Sequence, residues 1–175
     1  MLEIERKYLI FDMPDEVSRI DGQTITQAYL NRKPVLRIRQ YGAHYFLTYK
    51  GPGLAVRQEV ELRITPAMYE RLLPLAGGRI IRKIRYRIPY GTYMIDLDIF
   101  RDMPTALCLA EIEFPSTTAM NTCSTPAWFG PDVTEDPFFQ NVNLAHTDDA
   151  SFIEKLSAYE KGYRNEHEGT SDPGI

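Results

Sequence analysis

The sequence predicts a mainly β protein, an eight-stranded closed antiparallel barrel with a charged interior and helices packed outside. Three observations carry this expectation. Eight segments alternate apolar with polar residues or are rich in β-branched and aromatic ones, with turn signals between them. Only two stretches have helical spacing. Same-sign charges recur two residues apart on strand after strand, a spacing that puts them on one face. A closed barrel leaves no strand edge exposed, which suits many strands and few helices.

The predicted strands span 2–11, 24–31, 34–41, 44–50, 56–64, 79–89, 92–100 and 106–114. In the first, Glu3, Glu5 and Lys7 share one face, with Leu2, Ile4 and Tyr8 on the other. The second contains Gln27-Ala28-Tyr29-Leu30, with Tyr29 at inward parity. Arg37 and Arg39 flank Ile38 in the third, and Lys50 ends the fourth after Tyr45-Phe46-Leu47-Thr48-Tyr49. Gly51-Pro52-Gly53 marks a turn before the fifth, where Glu59 and Glu61 flank Val60. Thr65 then caps a helix over 65–73, with Pro66 at its first position and Gly77-Gly78 beyond its end. Lys83 and Arg85 flank Ile84 in the sixth strand, and Arg87 continues that face up to the Pro89-Tyr90-Gly91 turn. Asp96 and Asp98 flank Leu97 in the seventh, and Glu111 and Glu113 flank Ile112 in the eighth. Past Pro115, the polar, Thr-rich run from Ser116 to Thr125 reads as a loop. Phe152, Ile153, Leu156 and Tyr159 define an amphipathic helix over Asp149 to Tyr163. Residues 1–164 are expected to form one domain, and 165–175 a disordered tail.

Bulk properties narrow the function. At 175 residues the chain is long enough to bury a core. A net charge of −4 and a pI near 5.4 argue against nucleic acid or an anionic membrane as partner. No run of about 18 apolar residues marks a membrane-spanning helix, and no basic n-region with an apolar run marks a signal peptide. Cys108 and Cys123 stand apart from each other and from His44, His146 and His167, which makes zinc improbable. A cytoplasmic protein with free thiols is the expectation, as monomer or homodimer.

For any single doublet, a polar outer face is the plain explanation. The whole set resists it, because like charges two apart on one face repel unless opposite charge lies between them. If the barrel turns them inward, the acids and bases form a hydrated tunnel and the apolar residues face out, under helices. Arginine forks and lysines grip phosphate oxygens, while carboxylates are the hard ligands that Mg²⁺ or Mn²⁺ prefers. Phosphoryl transfer needs mainly positioning and charge neutralisation, which such a lining supplies.

These residues resemble the CYTH superfamily, the triphosphate tunnel metalloenzymes. Glu3-Ile4-Glu5-Arg6-Lys7 fits its ExExK opening, and the later doublets fall in the family's order. Pro126-Ala127-Trp128-Phe129-Gly130, Asp132-Val133-Thr134 and Asn143-Leu144 are similar to the ending of its short bacterial members, so the likeness covers about residues 1–145. The resemblance implies an eight-stranded tunnel binding triphosphates with Mg²⁺ or Mn²⁺. It implies Glu3, Glu5 and Glu113 as principal metal ligands supported by Glu111, and Glu61 with Glu59 positioning a second metal or the attacking water. Lys7, Arg37, Arg39, Lys50, Lys83 and Arg85 would hold the phosphate chain. Asp98, with Asp96, would be either a further metal ligand or an acid that orients wall Arg and Lys. Tyr29 would donate to phosphate or Lys7, or simply fill the barrel. The expected reaction is metal-dependent hydrolysis of inorganic tripolyphosphate, with ATP and thiamine triphosphate as further candidate substrates. Adenylyl cyclase is the alternative enzyme, and a polyphosphate-binding module without turnover the alternative from another class. The acid set favours an enzyme, since those carboxylates would repel a polyanion without metal.

Overall fold

In a computed structural model, which describes residues 1–168, the chain closes into an eight-stranded antiparallel barrel in the order β1-β5-β4-β3-β2-β6-β7-β8. The strands are β1 (Leu2–Leu9), β2 (Gln23–Arg32), β3 (Val35–Tyr41), β4 (His44–Lys50), β5 (Val56–Ile64), β6 (Gly77–Tyr90), β7 (Tyr93–Phe100) and β8 (Cys108–Glu113). All eight predicted strands form. The edges differ by one or two residues where turns begin, as at Gly77, where β6 starts two residues early.

The barrel is inverted relative to a packed core: charges face in and apolar residues face out. The outward side of β2 and β3 offers Ala28 and Ile38, which pack on Tyr69. Tyr69 belongs to α1 (Pro66–Leu72), whose start is fixed by Thr65 Oγ1 accepting from the Met68 amide at 3.2 Å. On the far side Ile4, Tyr8, Ile95, Leu97 and Ile112 form a second cluster with Phe129, and Trp128, Ala119 and Met120 pack against it. Ala119 and Met120 sit on α2 (Thr117–Thr122), within the segment expected to be a loop. That expectation is corrected: Ser116 accepts from the Ala119 amide and caps a short helix whose apolar residues find this cluster. Leu2, Val60 and Leu62 stay exposed on the outer face of β1 and β5, without the helical cover the sequence led us to expect.

β1 closes the barrel. Glu5 to Leu9 pair with Glu113 to Leu109 of β8, while only Leu2 to Ile4 pair with β5. The remaining edge of β1 is covered by the segment at 130–134: Gly130 N donates to Leu9 O, Leu9 N to Pro131 O, Val133 N to Lys7 O and Lys7 N to Thr134 Oγ1. This is the structural use of Asp132-Val133-Thr134.

At one end the inward residues become apolar: Leu9, Tyr29, Ile81, Phe100 and Leu109. They pack against Phe139, Val142 and Leu144, the last two on α3 (Asn141–Leu144), and against Phe152 and Leu156 of α4 (Asp149–Glu168). Gly78 permits this closure. Its φ of +73° and the Ala145 carbonyl 2.5 Å from an added Cβ leave room for no side chain, and Arg79 N donates to that same carbonyl at 2.6 Å. The C-terminal segment thus forms a floor. α4 continues to Glu168, into the tail expected from Asn165; the rest of that tail, 169–175, lies outside the described residues. Among the described residues no helix is long and apolar enough to cross a membrane.

Candidate active site

The barrel encloses a cavity of about 850 Å³. Seven carboxylates line it (Glu3, Glu5, Glu59, Glu61, Asp96, Glu111, Glu113), facing eight cations (Lys7, Arg37, Arg39, Lys50, Arg57, Lys83, Arg85, Arg87). Near-balance of sign is what lets so much charge share one enclosure. Exposure rises from floor to rim: the Lys7 and Lys83 side chains are each 2% exposed, that of Arg87 60%. Gln140, Asn141 and Val142 lie at the floor, and Thr92, Tyr93, Met94 and Pro115 at the other end.

Strand register decides which charges meet. Glu3 lies opposite Arg57, and Lys50 Nζ reaches its carboxylate at 2.7 and 3.0 Å. Burial would push the Glu3 carboxyl up, but Lys50 and Arg57 outweigh it and hold it down to about 2. Lys7 lies opposite Glu111, with Nζ 3.1 Å from its carboxylate, and Arg85 Nη2 approaches from the other side at 3.0 Å. Glu111 is buried, yet Lys7 and Arg85 hold it well below the carboxylate range. Glu61 accepts from Arg39 Nη2 at 2.6 Å and from Thr48 Oγ1 at 2.9 Å, with Arg37 at 3.5 Å. Lys50 also contacts Glu59 at 2.6 Å. Arg39 stacks over Phe46 and Tyr41, and burial together with Arg37 lowers it to about 10. The Nε atoms of Arg37 and Arg39 are buried without a hydrogen-bond acceptor.

Glu5 lies directly opposite Glu113 on the neighbouring strand. Like charges in that position are destabilising. Burial raises the Glu5 carboxyl, and Glu111 and Glu3 add to the rise against the pull of Lys7. Burial, Glu3 and Glu59 likewise raise Glu113, which makes no ion pair among the described residues. Crowded, under-neutralised oxygens are the chemistry a hard divalent cation satisfies, so Glu5 and Glu113 fit such an ion, with Glu3 beside Glu5 on the same face of the strand. As they stand, no three acidic, His or Cys side chains among the described residues converge closely enough to hold one. Glu3 would have to leave Lys50 and Arg57 to do so.

Asp98 does not line the cavity. It sits behind Lys83 and Arg85, bonding both, and is 1% exposed. Of the two roles weighed for it, this placement matches the orienting one. Burial pushes Lys83 down to about 8 despite Asp98. Asp96 does reach the cavity and pairs with Arg85 at 2.6 Å and Arg87 at 3.3 Å. Tyr29 lines the floor with its hydroxyl accepting from Gln27 Nε2 at 2.8 Å.

Sequence reasoning missed two residues. Arg57 bridges Glu3 (Nε, 2.7 Å), Glu5 (Nη2, 3.5 Å) and Gln140 (Nη1, 2.9 Å). Its signal was available: Arg57, Glu59 and Glu61 form one i, i+2, i+4 series. Gln140 carries no such signal, since it lies in an aperiodic segment.

Comparison with known proteins agrees with this geometry. The CYTH domain matches residues 1–120. An inorganic triphosphatase from Nitrosomonas europaea is 39% identical over 150 residues, 83% of this chain and 97% of that protein. One from Acetivibrio thermocellus is 29% identical over 156 residues, covering 87% and 98%. A solved inorganic triphosphatase structure superposes with a TM-score of 0.62 at 35% identity, covering 83% of this chain and 95% of its own. A Hippeastrum protein studied as a candidate adenylyl cyclase, and described as having a dominant triphosphatase activity, shares the fold alone. It is 16% identical, with a TM-score of 0.53 over 68% of this chain and 82% of its own.

Proposed function

The chain belongs to the CYTH domain family, and on that premise we propose that it is a divalent-metal-dependent triphosphatase hydrolysing inorganic tripolyphosphate to pyrophosphate and phosphate. The observation that carries this reading is a floored cavity lined by both cations and carboxylates. A polyanion alone would suit the bases but not Glu3, Glu5 and Glu113, so a binder without metal is disfavoured. Residues 1–164 act as one domain. A cytoplasmic location suits the free thiols Cys108 and Cys123.

Arg37, Arg39, Lys50, Lys83, Arg85 and Lys7 bind the phosphate chain. Asp98 fixes the aim of Lys83 and Arg85. Glu3, Glu5 and Glu113 would hold Mg²⁺ or Mn²⁺, with Glu111 supporting through Lys7 and Arg85. An ion there would neutralise phosphate charge and make a nearby water more acidic. Glu61, hydrogen-bonded to Thr48 and Arg39, orients the attacking water and receives its proton, with Glu59 beside it. Tyr29 closes the floor below the chain. A cyclase would also have to seat ribose and adenine beside the phosphate chain. The test is phosphate release from tripolyphosphate, ATP, thiamine triphosphate and pyrophosphate, with and without Mg²⁺ or Mn²⁺. Tripolyphosphate is expected to lead. Turnover that survives exhaustive chelation refutes the metal role, and cyclic AMP formation from ATP as the main reaction refutes the hydrolase.

A further inference from the structure

We infer that Gln140 is a positioning residue for the carboxylates Glu3 and Glu5, acting through Arg57 from outside the matched residues 1–120. The inference rests on the reading that those carboxylates hold a divalent cation.

Arg57 is 8% exposed and Gln140 6%, so both are largely shielded from bulk solvent at the foot of the cavity. The guanidinium has three neighbours: Glu3 at 2.7 Å, Glu5 at 3.5 Å and the Gln140 amide oxygen at 2.9 Å. Two of these are the acids a cation needs. The third is neutral and makes no claim on the metal. When Glu3 and Glu5 turn toward a cation, Gln140 is the acceptor that Arg57 keeps.

The backbone that carries this side chain is held in place. Leu144 N and Asn143 N donate to Gln140 O at 3.0 and 2.8 Å. Asp136, four residues earlier, accepts from Tyr159 at 2.9 Å and pairs with Lys155 at 2.9 Å, both on α4. Without the amide oxygen a buried guanidinium N–H would be left unpaired, a costly state. The nearest repair closes the 3.5 Å gap to Glu5, and Arg57 would then compete with the cation for both acids. The C-terminal floor therefore sets metal affinity as well as shape.

The test titrates Mn²⁺ into metal-stripped protein without triphosphate, reading the midpoint by calorimetry and by thermal stabilisation. Gln140→Ala should raise the midpoint about tenfold, the lower end of what losing one hydrogen bond to a charged group does. Gln140→Glu, which draws Arg57 away from Glu3 and Glu5, should lower it below wild type. In an Arg57→Gln background, Gln140→Ala should add nothing. A wild-type midpoint in Gln140→Ala, a raised one in Gln140→Glu, or a shift that persists without Arg57 each overturns the inference. Should Gln140→Ala fail to fold, the direction of the Gln140→Glu shift decides alone. Wild-type protein that gains nothing from Mn²⁺ would refute the metal reading, and this inference with it. Wild type responding while the variants match it would refute this inference only.

Discussion

Replacing Glu3 or Glu5 by Gln should have opposite effects on the metal-free protein, although the two acids are neighbours on one strand face. Glu3 is ion-paired to Lys50 and Arg57, and the drop of its pKa from 4.5 to about 2 corresponds to ~3 kcal/mol in favour of the ionised form. Its side chain is only 14% exposed, so solvent screening removes little of this. Glu5 has a raised pKa, and its charge opposes that of Glu113, so ionised Glu5 costs stability. In excess chelator at pH 7, Glu3→Gln should lose ~3 kcal/mol, a fall in Tm of roughly 6–12 °C for a chain of this size. Glu5→Gln should melt at or above the wild-type temperature. The pH dependence carries opposite signs. The contribution of Glu3 is complete above pH 4.5 and lost toward pH 2, so the Glu3→Gln deficit should shrink across that window. The advantage of Glu5→Gln should vanish on acidification, because wild-type Glu5 then takes up its own proton. With metal and tripolyphosphate at a hundredfold excess over Kd, wild type should gain ~2.7 kcal/mol that both variants largely forfeit. Unfolding followed by circular dichroism at pH 7 and pH 3 decides it. Equal losses in the two variants, or the larger loss in Glu5→Gln, would refute the assignment of partners.

Three further outcomes are expected. Arg39→Ala should keep the fold and lower kcat/KM for tripolyphosphate about ten- to a hundredfold, as removal of a charge-assisted contact does; normal kinetics would refute its role. The kcat/KM of wild type should fall above pH ~8 as Lys83, held down by burial, loses its proton, and Lys83→Arg should move that fall to higher pH in a rate profile. Phe139→Ala, fully buried in the floor, should cost about 3–5 kcal/mol in urea unfolding.

Much of this was readable because a strand converts sequence spacing into facing. Once Glu3, Glu5 and Lys7 share a side, every later doublet can be placed on the same side by parity alone, and the register bears this out at Lys7 and Glu111 or Arg85 and Asp98. Parity tells which face, not which partner, so it left open whether Asp98 meets metal or Lys83. Parity also puts Arg57 on the inner face with Glu59 and Glu61, but a lone base among acids forms no like-signed doublet and so did not stand out. Leu9, Ile81, Phe100 and Leu109 share the inward face, but apolar side chains there looked no different from outward ones. Only the three-dimensional meeting with Phe139 and Val142 shows that the tunnel has a floor. Gln140 was invisible because nothing local distinguishes a neutral amide that caps a buried guanidinium.

The closure of the barrel through β1 has a kinetic consequence. Its neighbours, β5 and β8, lie far along the chain, so the pairs Glu3 with Arg57 and Lys7 with Glu111 form only after long loops have closed. Until then these side chains remain hydrated and contribute nothing. Sealing the barrel must strip water from both signs of charge in one late step, and a slip of one residue would thrust those charges into the outer apolar clusters. Folding should accordingly be slow for the chain's size, with a transition state in which β2, β3 and β4 are already paired and the first strand of the sequence is the last to dock.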